Sequence, residues 1–193
     1  MKVGEVVESS TFIYSAQCSE LHSPPTLGGL VKTADGDVEI YGVVCHAATT
    51  SLDPGRTAVA VGRDGEAEED LYRNHPQLTL LLRTTFQAAV VGHRLNGTLY
   101  HYLPPRPARL HSFVYGCTDS EVQGFAANTD FLGLLLSCPM PGAREEVVAA
   151  SLRFLSRCHP DPNSFLVSAG KELTLLLRGQ GPALGSILRR VRL

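Results

Sequence analysis

Over the first hundred or so positions, apolar and polar residues alternate in short runs. This is the period-two pattern of strands that turn one face to a core and the other to water. Residues 3–8 and 11–16 read as two such strands, separated by Ser9-Ser10. Gly28-Gly29 permits a tight entry into Leu30-Val31-Lys32. Asp35-Gly36-Asp37 then predicts a hairpin, because Asp-Gly supplies the positive φ of a primed turn. Residues 38–45 predict a long strand whose alternating first half fits a half-buried sheet. Asp53-Pro54-Gly55 has the proline and glycine of a type II turn, and 57–61 predict a small strand. The acidic run 64–70 suits a helix N-terminus; that helix is expected to reach Tyr72 or Arg73 and stop near Asn74-His75-Pro76. Pro76 can open a further helical turn or two over 77–83. Residues 86–95 and 98–103 predict a hairpin across Asn96-Gly97. Pro104-Pro105-Arg106-Pro107 ends it, since proline has no N–H to give a ladder. The stretch 103–111 reads as a seam, and 112–116 as a strand that closes the barrel.

Beyond residue 116 the apolar spacing turns helical. Thr118 with Glu121 three positions on predicts an N-cap, and 129–136 a second helix stopped by Cys138-Pro139-Met140-Pro141-Gly142. Residues 143–158 place Val147, Val148, Leu152 and Leu155 on one helical face. His159-Pro160-Asp161-Pro162 breaks that helix, 163–178 predict another, Gly179-Gln180-Gly181-Pro182 breaks it, and 183–192 form a short last helix. The expected fold class is α+β: an N-terminal antiparallel β-barrel over 1–116 with a helical insertion near 66–83, then a mostly α-helical C-terminal region over 117–193.

Composition adds little beyond an ordinary globular chain of 193 residues, but charge is uneven. Nine basic and fifteen acidic residues stand in 1–143, a net of −6; eight and four stand in 144–193, a net of +4. The overall net of −2 argues against wholesale binding to nucleic acid or a membrane surface. The five cysteines, at 18, 45, 117, 138 and 158, are odd in number and lack CxxC spacing. Reduced thiols in a cytoplasmic protein are therefore expected. The N-terminus shows no apolar signal-peptide region, and no apolar run approaches the ~20 residues of a membrane span.

Four stretches together resemble the HAS-barrel family, the small β-barrel shared by HerA-type DNA-pumping ATPases and rotary ATP synthase subunits. They are Gly4-Glu5-Val6-Val7-Glu8-Ser9-Ser10-Thr11; Pro24-Pro25-Thr26-Leu27-Gly28 leading to Val31; Val38-Glu39-Ile40-Tyr41-Gly42-Val43-Val44; and Asp53-Pro54-Gly55-Arg56. The likeness spans roughly residues 2–115. In the ATPases such a barrel precedes a P-loop domain. No G-x-x-x-x-G-K-[ST] occurs in this chain, where Gly170-Lys171 is followed by Glu172. The resemblance implies a stand-alone barrel used for docking or ring-building, without ATP hydrolysis.

Candidate chemistry is sparse. Cys45-His46 joins a thiol to a base, yet strand neighbours point to opposite faces. Cys45 is therefore expected in the core and His46 in water. His93, His101 and His111 could converge on a metal only with a carboxylate or thiol beside them, such as Asp119 or Cys117. Asp53 and Arg56 read as a turn-capping pair. Tyr100 and Tyr102, with Arg106 and Arg109, interleave aromatic and basic residues as single-strand binders do. Arg189, Arg190 and Arg192 form a basic helix end. The leading expectation is a non-enzymatic adaptor without cofactor or metal, docking on a protein assembly such as a hexameric ATPase or a nuclease of DNA processing. The alternatives are an enzyme with an unrecognised Cys/His or metal site, for which Cys45, His46 and Asp53 are the candidates, or a weak nucleic-acid-binding accessory protein; Tyr100, Tyr102, Arg106, Arg109, Arg189, Arg190 and Arg192 are the candidate contacts to a partner or to nucleic acid.

Overall fold

The computed structural model describes residues 1–53, 55, 57–62, 67–140 and 143–191. Seven strands come first: β1 (Lys2–Ser9), β2 (Ile13–Cys18), β3 (Leu30–Asp35), β4 (Val38–Ser51), β5 (Leu82–Leu95), β6 (Thr98–Tyr100) and β7 (Phe113–Gly116). Two short helices, α1 (Glu68–Asn74) and α2 (Leu78–Leu81), sit between β4 and β5. Five helices follow: α3 (Asp119–Ala126), α4 (Phe131–Ser137), α5 (Arg144–Cys158), α6 (Pro162–Leu176) and α7 (Gly181–Arg190).

Six antiparallel strands close in the order β2-β1-β7-β3-β4-β5, with β5 pairing back to β2. Closure leaves these strands no free lateral edge. The short β6 hangs outside, paired to β5 by His93 opposite Tyr100. The strand expected at 112–116 is thus the staple of the barrel, since β7 lies between β1 and β3. Val6 and Ser112 continue that seam through a backbone hydrogen bond of 2.9 Å.

Local chemistry explains most boundaries. Ser10 turns β1 into β2: its Oγ accepts from Ile13 N at 3.1 Å and donates to Ile13 O at 2.9 Å, so β2 starts at Ile13 rather than Thr11. Thr118 and Glu121 form the expected reciprocal capping box on α3. Asp161 caps α6 by accepting from Ser164 N at 3.0 Å, with Pro162 in the first turn. The sequence that breaks α5 therefore also starts α6. The helix expected from the acidic run appears as α1, although 63–66 lie outside the described residues. Residues 57–61 correct the expectation: they form no strand, because no neighbouring strand among the described residues offers them a ladder. The return strand expected over 98–103 ends at Tyr100. Past it, Leu103 and Ala108 turn inward and pack with the barrel interior.

Apolar side chains form two clusters. One fills the barrel with Val6, Tyr14, Ile40, Val44, Phe86 and Val114 among others. The other lies between the outer surface of the barrel and the helices, joining Tyr41, Val43, Cys45, Ala89 and Val91 to Phe125, Phe131, Leu135, Val148, Leu152 and Leu173. β4 is therefore buried on both faces from Ile40 to Cys45, and β5 from Ala88 to His93. The half-buried strand expected at 38–45 is corrected on this point. Its unbroken apolar second half is the mark of a strand covered on both sides. Among the described residues no helix is long and apolar enough to cross a membrane.

Two glycines set how closely these layers approach. Gly28 has φ +78°, and a Cβ there would lie 2.4 Å from backbone atoms of Ala150 and Ser151 in α5. Its N–H bonds Val44 O at 2.8 Å. The bend expected at Gly28-Gly29 is thus also the point where the loop lies against the helical layer. Gly42 leaves room for the buried Tyr14 ring, whose Cε1 would stand 3.1 Å from an added Cβ.

Two stability effects follow. Gly28→Ala meets both left-handed strain and a backbone clash, and is expected to destabilise the protein by roughly 2–3 kcal/mol. Phe125→Ala empties the centre of the outer cluster and is expected to cost about 3–5 kcal/mol. Urea unfolding checks both; a loss under ~0.5 kcal/mol, the scale of a surface substitution, for either would contradict this packing.

Candidate functional site

Cys45 lies 4 % exposed on the helix-covered face of β4, and its thiol donates to Gln87 O at 3.4 Å. Burial pushes this thiol up to about 12, with the neighbouring Cys138 adding to the effect. Almost no thiolate exists near neutrality, so the pair offers no activated nucleophile. His46, the next residue, is exposed as expected. Burial also raises Cys117 to about 12 and Cys138 to about 11. All five cysteines are free. Asp53 accepts from Gly55 N at 2.9 Å, a local Asx turn. Its expected companion Arg56 lies outside the described residues.

The three histidines go to three places. His93 is buried, its Nδ1 within 3.1 Å of Tyr102 O, and its ring stacks on Tyr100 at 5.2 Å. His101 packs against Phe125 at 4.7 Å and Phe131 at 6.0 Å. His111, in a left-handed turn at φ +66°, holds Glu5 Oε1 at 2.9 Å through Nδ1. Among the described residues no three of His, Cys, Asp and Glu gather as a metal-binding group.

Tyr100 and Tyr102 do come together, 5.1 Å apart and tilted, each against His93. Packed on each other, the rings form one small aromatic knob rather than separate stacking shelves. Arg106 and Arg109 are exposed on the following loop and form no ion pair with another described residue. Arg190 is exposed but tied to the helical layer: its Nε meets Glu146 Oε2 at 2.9 Å, its guanidinium also bonds Ser186, and Arg153 bonds both Glu146 and the Arg190 carbonyl. Arg189 is exposed, and Arg192 lies outside the described residues. Both described arginines of this basic helix end reach solvent, Arg190 with its charge paired to Glu146.

Two features escaped the sequence reading. The first is a charged clamp between barrel and helices. Lys32 on β3 contacts Glu39 at 2.7 Å and Glu121 of α3 at 2.5 Å, Arg94 approaches Glu39 at 3.5 Å, and Tyr41 donates to Glu39 at 3.2 Å. Lysine and glutamates at alternate strand positions read as solvated, and only the β3–β4–β5 register and the docked α3 gather them. Lys32 holds the Glu39 carboxyl below its ordinary range, and at Glu121 burial is outweighed by Lys32 together with the Thr118 cap. The second is the barrel wall formed by β1 and β7. Phe113 and Tyr115 share its outer face and are 46 % and 41 % exposed, with Val7 at 44 %. Lys2 Nζ sits 3.5 Å from the Phe113 ring centroid. The alternation of Phe113-Val114-Tyr115 is the signal that places Val114 inside and the two rings outside.

Compared with models of known protein families the chain matches none, and a comparison with curated proteins likewise gives no match.

Acid should loosen the helical layer in two stages. Burial lowers the affinity of folded His101 for a proton, with Asp130 opposing. The unfolded chain therefore binds that proton more readily, and stability falls as pH drops through about 6.5. Glu39 and Glu121 are lowered when folded, so their contribution is present above about 4.5 and is lost as pH falls further. Urea midpoints from pH 8 to 3 should show a decline setting in below about 6.5 that His101→Phe removes, and an acid limb that Lys32→Ala flattens. Unchanged profiles in both variants would contradict the assignment.

Proposed function

We propose that this chain is a non-enzymatic docking module that binds a protein assembly, of the kind of a ring ATPase or nuclease acting on DNA. The observation that carries the reading is the closed, filled barrel. Its interior is packed with side chains, the Cys45 thiol is buried and protonated, and His93 and His111 are engaged in hydrogen bonds. The outer face of β1 and β7 exposes an aromatic wall, Phe113 and Tyr115 beside Val7 and Lys2. Aromatic residues of this kind serve as anchors at protein interfaces. The likeness of residues 2–115 to HAS barrels supports a ring ATPase as the type of partner.

Affinity capture of the tagged protein from a lysate of its source, compared with the Phe113→Ala/Tyr115→Ala double variant, tests the proposal. The expected outcome is near-stoichiometric recovery of an ATPase or nuclease by the parent protein, reduced at least tenfold in the double variant. ATP hydrolysis by the purified protein itself, or equal recovery by both proteins, would overturn it.

A further inference from the structure

Beyond β6 the chain is held by side chains rather than by a ladder. β6 pairs with β5 alone and ends the sheet. None of residues 101–107 makes a backbone–backbone hydrogen bond to another described residue. Three contacts fasten the stretch. His93 Nδ1 lies 3.1 Å from Tyr102 O, Leu103 packs with the barrel interior, and the His101 ring sits against Phe125 and Phe131 of the outer cluster, at 4.7 and 6.0 Å. The last contact sets a polar ring in an apolar place. His101 Nε2 is buried and has no hydrogen-bond partner among the described residues. A neutral imidazole can leave one nitrogen so, at a modest cost. A protonated ring carries a donor and a charge there, which a phenyl cage does not solvate as water does. The surrounding charged groups do not answer it in this position. On α4, Asp130 favours the charged ring, but its Oδ2 accepts from Asn128 at 2.8 Å. On α3, Asp119 meets Cys158 and Glu121 meets Lys32. On β5, Arg94 faces Glu39, and His93 is engaged with Tyr102 O.

We propose that residues 99–103 form a pH-gated strap with His101 as its latch, closed over Phe125 and Phe131 while the imidazole is neutral and lifted when it is protonated. Lifting carries the charged ring into water and uncovers the Phe125–Phe131 side of the outer cluster, an apolar surface presented only in acid. The helices stay in place as this happens. Lys32 of β3 holds Glu121 of α3, and that pair remains charged until pH falls below about 4.5. The strap therefore has a window of its own, below the ordinary histidine value of about 6.5 and above the loss of the clamp. The sign follows from the cage: the lifted strap binds the proton more readily than the closed one. Its open population therefore grows as pH falls through the window, by up to about tenfold per pH unit for one proton. This opening is confined to one edge of the sheet, unlike the loss of overall stability that the same protonation brings.

Hydrogen exchange of the full chain between pH 7.5 and 5, corrected for the intrinsic pH dependence of amide exchange, tests this. The corrected rate over 99–103 should rise below about 6.5, by up to about tenfold per pH unit, while Ile40–Cys45 of β4 keeps its protection. The His101 imidazole resonances should titrate over the same range. His101→Phe and His101→Gln, neither of which titrates, should each remove the rise; the glutamine variant decides the matter if phenylalanine disturbs the cage. Corrected rates over 99–103 that do not change with pH, a rise that survives both substitutions, or an equal rise over Ile40–Cys45 would each overturn the proposal.

Discussion

The outer face of the β4–β5 pair has no stable solution without the helices. Tyr41, Val43, Ala89 and Val91 point away from the barrel interior, yet all are buried. Left to water they would form a continuous apolar patch of the kind that soluble surfaces avoid. The helical layer covers it: Phe125 lies 5.4 Å from Tyr41 and 5.3 Å from Phe131, and His101, just past β6, closes the same cluster. The close contact at Gly28 and the Lys32–Glu39–Glu121 clamp fix how that layer sits. Barrel and helices therefore share one of the two hydrophobic clusters, and each depends on the other for it.

Much of this was legible in the chain. Period-two runs, Asp35-Gly36 and Asn96-Gly97 located most of the barrel strands, and the capping pair Thr118 and Glu121 marked the change to helices. What could not be read was which side of a strand is covered. Residues 40–45 are apolar throughout, and length alone does not say whether a second layer lies outside them. The small strand expected at 57–61 failed for a related reason: local preference specifies an extended segment, but a ladder needs a neighbour. At the level of sites, Tyr100 and Tyr102 were brought together by β6 as their spacing suggests. Arg190 is exposed with its charge paired to Glu146 in the first turn of α5, an ion pair that only the packing of α7 on α5 reveals.

The functional reading rests on the same economy. Cys45 is buried, His93 is packed in the sheet and the barrel interior is filled, while β1 and β7 present two aromatic rings to solvent. A rigid closed sheet suits such a surface, because the rings are held before any partner arrives and little ordering cost remains on binding.

Native-state hydrogen exchange read by mass spectrometry tests the shared core most directly. The amides of β4 between Ile40 and Cys45 and those of α5 between Val147 and Leu155 should be released in one cooperative opening of the same free energy, with the same denaturant dependence. Exchange of α5 in a separate, much lower-energy opening that leaves β4 fully protected would contradict it, and would make the helices a detachable appendage of a self-sufficient barrel.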